Sequence, residues 1–302
     1  MYVITGATGN TGRVAAEQLL AQKEKVRVIG RNAERLQPLA AKGAEPFVAD
    51  LTDPNALTRA FTDAQVVYAM IPPDLANEDF RAFQNRVSDA LVQAIKQAGV
   101  KYVVALSSIG ADKPEKTGPV VGLHEFEEKL NQIAGVNVLH LRPCYFMENT
   151  LDQAGTIRAF GKTAGPLNGN LKIPMIATYD IGVFAAKALA KHDFNGKQTR
   201  ELQGPRDLDY IEVTAIIGKA IRKPDLEYVK LPDEQLTPVL LQLRKYGRRP
   251  SGMSAALNSG YMRSLKSARR RTQPQLPMRP LSPNDSSLFI RDNLRRLEKS
   301  SN

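Results

Sequence analysis

Glycines at positions 6, 9 and 12 lie between a short apolar run, Val3-Ile4, and a stretch of helical periodicity at 13–22. A bound pyrophosphate must approach backbone amides closely, so a Cβ in this turn would collide with it, and the following helix N-terminus offers N–H groups. The last glycine lets helix and strand pack closely. The segment therefore predicts a dinucleotide-binding strand–turn–helix unit, the alternative being an ordinary glycine-rich turn. The candidate phosphate-binding residues are Gly6, Thr8, Gly9, Asn10, Thr11 and Gly12.

Strand-like and helix-like segments alternate along the first half of the chain. Strands are predicted at 3–4, 26–29, 46–48, 66–71, 102–106 and 136–141, and helices at 13–22, 33–41, 54–61, 80–98 and 124–133. This alternation is typical of parallel strands joined by right-handed crossovers, and the apolar strands fit a sheet covered on both faces. We therefore predict an α/β fold, a doubly wound parallel sheet of the Rossmann type, with residues 1–150 as its dinucleotide-binding domain.

The pattern becomes irregular and richer in Gly and Pro after residue 150. It predicts a smaller C-terminal lobe over residues 151–243, from which the helix Tyr179–Lys191 returns to the sheet. A further helix is expected at 211–221 and a strand at 226–230. Residues 244–302 are predicted to form a separate basic tail.

The net charge of +11 belongs to that tail. Residues 244–302 hold 14 of the 42 Lys and Arg and 3 of the 31 Asp and Glu, which leaves 28 of each sign in residues 1–243. Prolines at 274, 277, 280 and 283 predict an extended segment, and a short basic amphipathic helix is expected after Asp285. Such a tail either stays solvated, which we favour, or binds a polyanion.

Composition otherwise indicates an ordinary globular protein, with 42% hydrophobic residues and no apolar run long enough to span a membrane. Met1 runs directly into the first strand, so no signal peptide is expected. The single cysteine, Cys144, excludes an internal disulfide framework and indicates a reducing, cytoplasmic location. Neither His140 nor His192 has a partner at metal-ligand spacing, so no metal site is expected.

The end of the second strand indicates which dinucleotide binds. NAD-specific sites usually place Asp or Glu there, whereas this chain has Gly30-Arg31-Asn32, with Arg35 one helical turn on. A guanidinium pairs well with the 2′-phosphate of NADP, so we predict NADP(H); the alternative is a solvated surface arginine. Asp50 and Leu51 follow the third strand and either contact the adenine or belong to a helix cap. Met70, at the end of the fourth strand, completes the candidate cofactor contacts.

Several segments together resemble the NmrA-like family of atypical short-chain dehydrogenases/reductases. They are Gly6–Gly12, Val26–Asn32, the run Asp50-Leu51-Thr52-Asp53, Leu141–Asn149 and Tyr179–Ala186. The resemblance covers about residues 1–240 and returns briefly at 255–263. It implies NADP(H) binding, a substrate cleft beside the C-terminal edge of the sheet, and activities that range from quinone reduction to redox sensing without turnover. It also implies that Tyr145, Phe146, Met147 and Asn149 line the cleft, although core packing explains the apolar side chains nearly as well.

The proton-donating motif of typical short-chain dehydrogenases, Tyr-x-x-x-Lys, is missing. At its expected place the chain has His124 and Glu128, which share a helix face in the tyrosine and lysine positions. Ser107 and Ser108 follow the fifth strand, where ligands bind in such folds. We regard His124, Ser107 and Ser108 as candidate catalytic residues; the alternatives are a locally bonded histidine and ordinary strand-end serines.

The missing pair argues against a general ketone reductase, because reducing a ketone leaves a basic alkoxide that needs an aligned acid. A quinone accepts hydride to give a stabilised hydroquinone anion, which water can protonate. We therefore predict an NADPH-dependent reductase of quinones or similar electrophilic small molecules. The alternative is a non-catalytic NADP(H)-binding redox sensor that acts through a regulatory protein partner.

Overall fold

The computed structural model describes residues 1–74, 77, 79–232 and 234. The chain divides into two compact units. The first contains Met1–Pro143 and Thr178–Leu202, and the second contains Cys144–Ala177 and the described residues from Gln203 on. The predicted basic tail, 244–302, lies outside the described residues, as do its proline repeat, its C-terminal helix and the short resemblance at 255–263.

Strands and helices alternate in the order expected from the sequence. The strands are β1 (Tyr2–Ile4), β2 (Val26–Gly30), β3 (Glu45–Val48), β4 (Val66–Met70), β5 (Tyr102–Leu106), β6 (Asn137–Pro143), β7 (Tyr145–Phe146), β8 (Thr163–Gly165), β9 (Ile173–Ile176), β10 (Lys197–Leu202), β11 (Asp207–Leu208) and β12 (Tyr228–Lys230). The helices are α1 (Asn10–Ala21), α2 (Ala33–Ala40), α3 (Pro54–Ala60), α4 (Phe80–Gln97), α5 (Val121–Asn131), α6 (Gln153–Phe160), α7 (Thr178–Lys191) and α8 (Tyr210–Ala220).

The first unit is built on a seven-stranded sheet in the order β10-β6-β5-β4-β1-β2-β3, with every neighbouring pair parallel. The chain starts at the middle of the sheet, runs outward through β2 and β3, and then returns to the other side of β1. This confirms the predicted doubly wound parallel sheet. The sequence reading did not include β10, which pairs with β6 over Lys197–Leu202 at one edge of the sheet.

Alternation along the strands separates the two faces of this sheet. Val3, Val67 and Val103 belong to one buried cluster with apolar residues of α3, α4 and α5. Tyr68 points the other way and bonds with Thr11 of α1. Helix α7 packs closely on α1: a Cβ on Gly182 would lie 2.6 Å from the Cβ of Val14. Only glycine permits this approach, which accounts for the glycine in the Tyr-Asp-Ile-Gly run.

The second unit contains small sheets. In the first, β7 pairs in parallel with β9, and β9 pairs antiparallel with β11; in the other, β12 pairs in parallel with β8. Among the described residues, no helix has the length and apolar character needed to cross a bilayer.

Candidate functional site

The candidate site residues of the first unit follow the C-terminal ends of neighbouring strands. In sheet order, Ser107 follows β5, Met70 ends β4, Thr5–Gly12 follows β1, Arg31 follows β2 and Asp50 lies beyond β3. Neighbouring strands lie about 4.8 Å apart, so the glycine turn and Ser107 are separated by about 10 Å. Ligands of doubly wound sheets bind at this edge, where the strand order reverses. The sheet therefore arranges the predicted residues in one row, with the glycine turn between Arg31 and Ser107.

The glycine turn has the geometry that a phosphate requires. Gly6 has a positive φ of 59°, and the amide of Gly9 donates to its carbonyl oxygen at 2.9 Å. A Cβ on Gly12 would lie only 2.5 Å from that same oxygen. No side chain caps α1, whose N-cap is Gly9, and its first turn carries no acidic residue. The first-turn amides are thus open to an anion, and the turn fits the pyrophosphate of a dinucleotide.

Side chains beneath the turn hold it in place. Thr5 is fully buried; its hydroxyl donates to the carbonyl of Tyr68 at 2.9 Å and accepts from the amide of Met70 at 3.1 Å. The hydroxyl of Thr11 accepts a 2.9 Å hydrogen bond from that of Tyr68. The side chain of Thr11 is therefore bonded to β4 beneath the turn. Met70 lies against the turn, since its Sδ would be 2.6 Å from a Cβ on Gly6.

Arg31 and Arg35 are exposed, and neither guanidinium has a hydrogen bond or ion pair within the described part of the chain. Asn32 between them caps α2 by accepting the amide of Arg35 at 3.1 Å. Partial burial alone would raise the pKa of Asp50, but hydrogen bonds from Thr52 and the charge of Arg31 outweigh it and lower the pKa. Leu51 is buried. Two available guanidinium groups thus lie beyond β2, the position expected for a 2′-phosphate.

The predicted catalytic residues come together around the loop 107–111. The side chain of Ser108 is half-buried, and its hydroxyl donates to the carbonyl of Ile109 at 3.1 Å. His124, on α5, bonds through Nδ1 to the carbonyl of Ala111 at 2.8 Å. A carbonyl only accepts, so Nδ1 carries the hydrogen and the neutral ring presents Nε2 as an acceptor.

Two adjacent acidic residues of α5 differ in burial. Glu128 is exposed, whereas Glu127 is buried with 3% of its surface accessible. The Glu127 carboxylate accepts from the Ser107 hydroxyl and from Nε and Nη2 of Arg142, at 2.9 and 2.5 Å for the arginine. Burial alone would lower the pKa of Arg142, but its hydrogen bonds with Glu127 raise it. Sequence reasoning missed both Glu127 and Arg142, although Arg142 stands in the quoted run Leu141–Asn149.

The predicted substrate-binding residues belong to the second unit. Tyr145 is buried, and its hydroxyl lies 2.9 Å from that of Tyr210. Phe146, Met147 and Asn149 are half-buried. Within this unit Tyr145 therefore serves in packing, while Phe146 and Met147 expose apolar surface.

Comparison with known proteins agrees with this geometry. The model of the NmrA-like family matches residues 2–264. The chain is 29% identical over 265 residues to an NAD(P)H azoreductase of Xenophilus azovorans, covering 86% of each chain. It is 31% identical over 224 residues to quinone oxidoreductase 2 of Escherichia coli K12, covering 72% of this chain and 74% of the relative. A solved NADPH complex of an Escherichia coli NADPH-dependent quinone oxidoreductase superposes with a TM-score of 0.71 at 25% identity, covering 88% of this chain and 94% of that one.

Proposed function

The chain belongs to the NmrA-like family, and we propose that it is an NADPH-dependent reductase of quinones or similar electrophilic small molecules. The observation that carries the proposal is the row of residues along one sheet edge. A glycine turn open to a pyrophosphate lies between Arg31 and the loop that carries Ser108 and bonds to His124. In this order the glycine turn would bind the phosphates, Arg31 would contact one end of the dinucleotide, and the Ser108 loop would lie near the other end.

The cofactor is NADP(H). The relatives bear NAD(P)H in their names or were solved with NADPH. In this chain Gly6, Gly9 and Gly12 would admit the pyrophosphate, and Arg31 and Arg35 would pair with the 2′-phosphate. When bound, the nicotinamide supplies the hydride. The protein has to bind the cofactor, align the substrate and exclude competing reactions.

The groups available to donate a proton favour hydride acceptors whose reduced form is a stabilised anion. In neutral His124 the ring hydrogen lies on Nδ1 and bonds to the Ala111 carbonyl, so Nε2 can only accept a hydrogen bond. Nε2 can donate a proton only when the ring is an imidazolium. The weakly held hydroxyl of Ser108 is the other nearby group able to contact the substrate. A conjugated quinone suits this arrangement because water can protonate its reduced product. The names of the two relatives, an azoreductase and a quinone oxidoreductase, support electrophiles of this class.

We place the substrate contacts of the second unit at Phe146, Met147 and Asn149, whose side chains are half-buried. Apolar side chains of this kind suit a flat ring, and an amide can bond an oxygen at its rim. Tyr145 contributes through packing, since its buried hydroxyl lies beside that of Tyr210.

We propose a cytoplasmic location, which a single buried cysteine, Cys144, supports. The basic segment 244–302 has no part in the proposed reaction. Its charge excess predicts that any polyanion binding by the chain disappears on deletion of residues 264–302 and on raising salt, while NADPH affinity stays within about threefold.

The deciding experiment mixes the protein with NADPH and a panel of quinones and follows absorbance at the nicotinamide band. We expect substrate-dependent NADPH oxidation above the rate in buffer. Gly12→Ala is the control, because its added Cβ would lie 2.5 Å from the Gly6 carbonyl oxygen and close the turn. NADPH binding without turnover of any acceptor would reject the reductase and favour a regulator that passes cofactor state to a protein partner.

A further inference from the structure

Glu127 is a buried carboxylate that the proposed reaction does not use. Its side chain is 4% exposed, and that of its partner Arg142 is 15% exposed. Three donors bind the carboxylate: the Ser107 hydroxyl and two guanidinium nitrogens of Arg142. These donors come from the end of β5 and from β6, while Glu127 itself lies on α5. The carboxylate therefore joins three elements at the sheet edge.

The direction of the hydrogen bond between Ser107 and Glu127 indicates the role of Ser107. An ionised carboxylate only accepts, so the Ser107 hydroxyl must donate to Glu127. Ser107 is also only 3% exposed. Its proton is committed inside the protein, and Ser107 belongs to the Glu127 cluster and not to the groups that contact the substrate.

Helix α5 holds the loop 107–111 at two points. Glu127 binds the loop at Ser107, and His124, one turn earlier on the same helix face, binds it at Ala111. The loop also bonds to itself and to β6: Ala111 donates to the Ser108 carbonyl at 3.1 Å, and Ile109 to that of Pro143 at 3.0 Å. Ser108 lies between the two attachment points. The Ser107 amide also donates to the Leu141 carbonyl at 2.7 Å, so the two bonds from α5 hold Ser108 together with the backbone bonds to β6.

The start of α5 has no capping side chain and is attached to α4, through the ion pair of Arg81 with Glu125 and the bond of Gln84 to the Pro119 carbonyl at 3.0 Å. Its N-cap, Val120, makes no side-chain hydrogen bond, and a short 3₁₀ turn at Gly118–Val120 leads directly into it. Helix ends without a capping side chain are held by packing and by contacts farther along the helix. The Glu127 cluster supplies such a contact one turn beyond His124.

We propose that Glu127 and Arg142 are a positioning pair, which fixes α5 and the loop 107–111 so that Ser108 and His124 are held in the geometry of the reaction. The inference rests on the proposed reductase function. Buried ion pairs of this kind often add little net stability compared with apolar residues of similar volume, whereas loss of one partner is costly. Geometry, and not stability, is then what the pair contributes.

The test measures separately the effect of the pair on the stability of the protein and its effect on the position of Ser108 and His124. The double variant Glu127→Met/Arg142→Met replaces both charges with flexible apolar chains, and the single variant Arg142→Met leaves a buried carboxylate without its cation. We expect the single variant to unfold at lower denaturant, and the double variant to recover most of that loss. In the double variant we expect kcat for a quinone to fall about tenfold or more and the NADPH dissociation constant to stay within about threefold. The exposed ion pair of Lys162 and Glu227, at 2.8 Å, gives a matched control, Lys162→Met/Glu227→Met, which should change neither value.

Amide hydrogen exchange at 108–111 provides a readout that needs no turnover. We expect exchange to be about tenfold faster in the double variant than in the wild type or the control, because the loop loses one of its two attachments to α5. A double variant that keeps wild-type exchange, or one that keeps kcat within about twofold, overturns the inference. If the wild type reduces no quinone, the reductase proposal fails by itself, and the exchange rates still decide whether the pair holds the loop.

Discussion

The hydroxyl of Tyr68 donates a 2.9 Å hydrogen bond to the hydroxyl of Thr11, with both side chains buried beneath the glycine turn. Tyr68 lies on β4, and Thr11 lies in the first turn of α1. Burial raises the pKa of Tyr68, so its hydroxyl stays protonated and donates. The bond attaches the N-terminus of α1 to the sheet beneath the glycine turn.

Removing this bond should affect stability more than cofactor binding. We expect Tyr68→Phe to lower the free energy of unfolding by about 1 kcal/mol, since the Thr11 hydroxyl then loses its donor inside the protein. NADPH affinity should stay within about threefold, because α1 offers backbone amides and not this hydroxyl. Urea unfolding and fluorescence titration measure the two quantities. Thr11→Val tests the pairing: if the losses of the two single variants add fully in the double variant, the two hydroxyls do not act together.

Arg31 should determine the preference for NADPH over NADH. Its exposed guanidinium makes no hydrogen bond or ion pair among the described residues, and only NADPH brings a phosphate to it. We expect Arg31→Ala to weaken NADPH binding about tenfold or more, which is about 1.4 kcal/mol, and to leave NADH binding unchanged. Arg86→Ala, at an exposed position of α4, is the control. An unchanged ratio of the two affinities in Arg31→Ala would remove Arg31 from the cofactor site.

Two substitutions at His124 distinguish the role of Nδ1 from that of Nε2. His124→Asn keeps a donor near the position of Nδ1, which binds Ala111, and removes Nε2. His124→Gln keeps a polar group near Nε2 and removes the donor to Ala111. If His124 contacts the substrate, kcat for a quinone falls about tenfold in His124→Asn even though exchange at 108–111 stays slow. Full activity in His124→Asn with loss in His124→Gln would restrict His124 to holding the loop.

His140 should make the protein less stable in acid. Burial lowers its pKa from the usual 6.5 to about 4, and its Nε2 lies 2.9 Å from Oδ1 of Asn131. A group whose folded pKa is depressed stabilises the fold above its unfolded pKa, so this stabilisation is lost as pH falls from about 6.5 towards 4. The expected loss is about 3 kcal/mol.

The pH dependence is measured by urea unfolding between pH 7 and pH 4. His140→Gln retains a donor for Asn131 and cannot become charged, so it should lose less stability over this range than the wild type. His192→Asn is the control, since Asn tolerates the positive φ of 33° at that position. Parallel losses in the wild type and His140→Gln would exclude His140 as the acid-sensitive group.

Local signals in the sequence were sufficient for the main elements of the first unit. Apolar runs predicted β1 to β6, and helical periodicity predicted α1 to α5, with ends that differ by a few residues from the structure. The edge strand β10 was missed because its residues, Lys197–Leu202, are mostly polar and partly exposed, as an edge strand permits. Nothing in such a stretch distinguishes a strand from a loop until its neighbour β6 is known.

The candidate site likewise contains some residues that the sequence predicted and others that only the structure revealed. The glycine spacing and the arginine after β2 are local features, so the sequence alone predicted the glycine turn and the cofactor. Ser107 bonds to Glu127, 20 residues farther along the chain, and Glu127 bonds to Arg142, 15 residues beyond that, and no local spacing specifies such contacts. Of the adjacent residues Glu127 and Glu128 on α5, Glu127 is buried and Glu128 is exposed. Only the tertiary structure decided that choice, because packing against β5 and β6 sets the rotation of the helix, and burial then requires the carboxylate to face its donors.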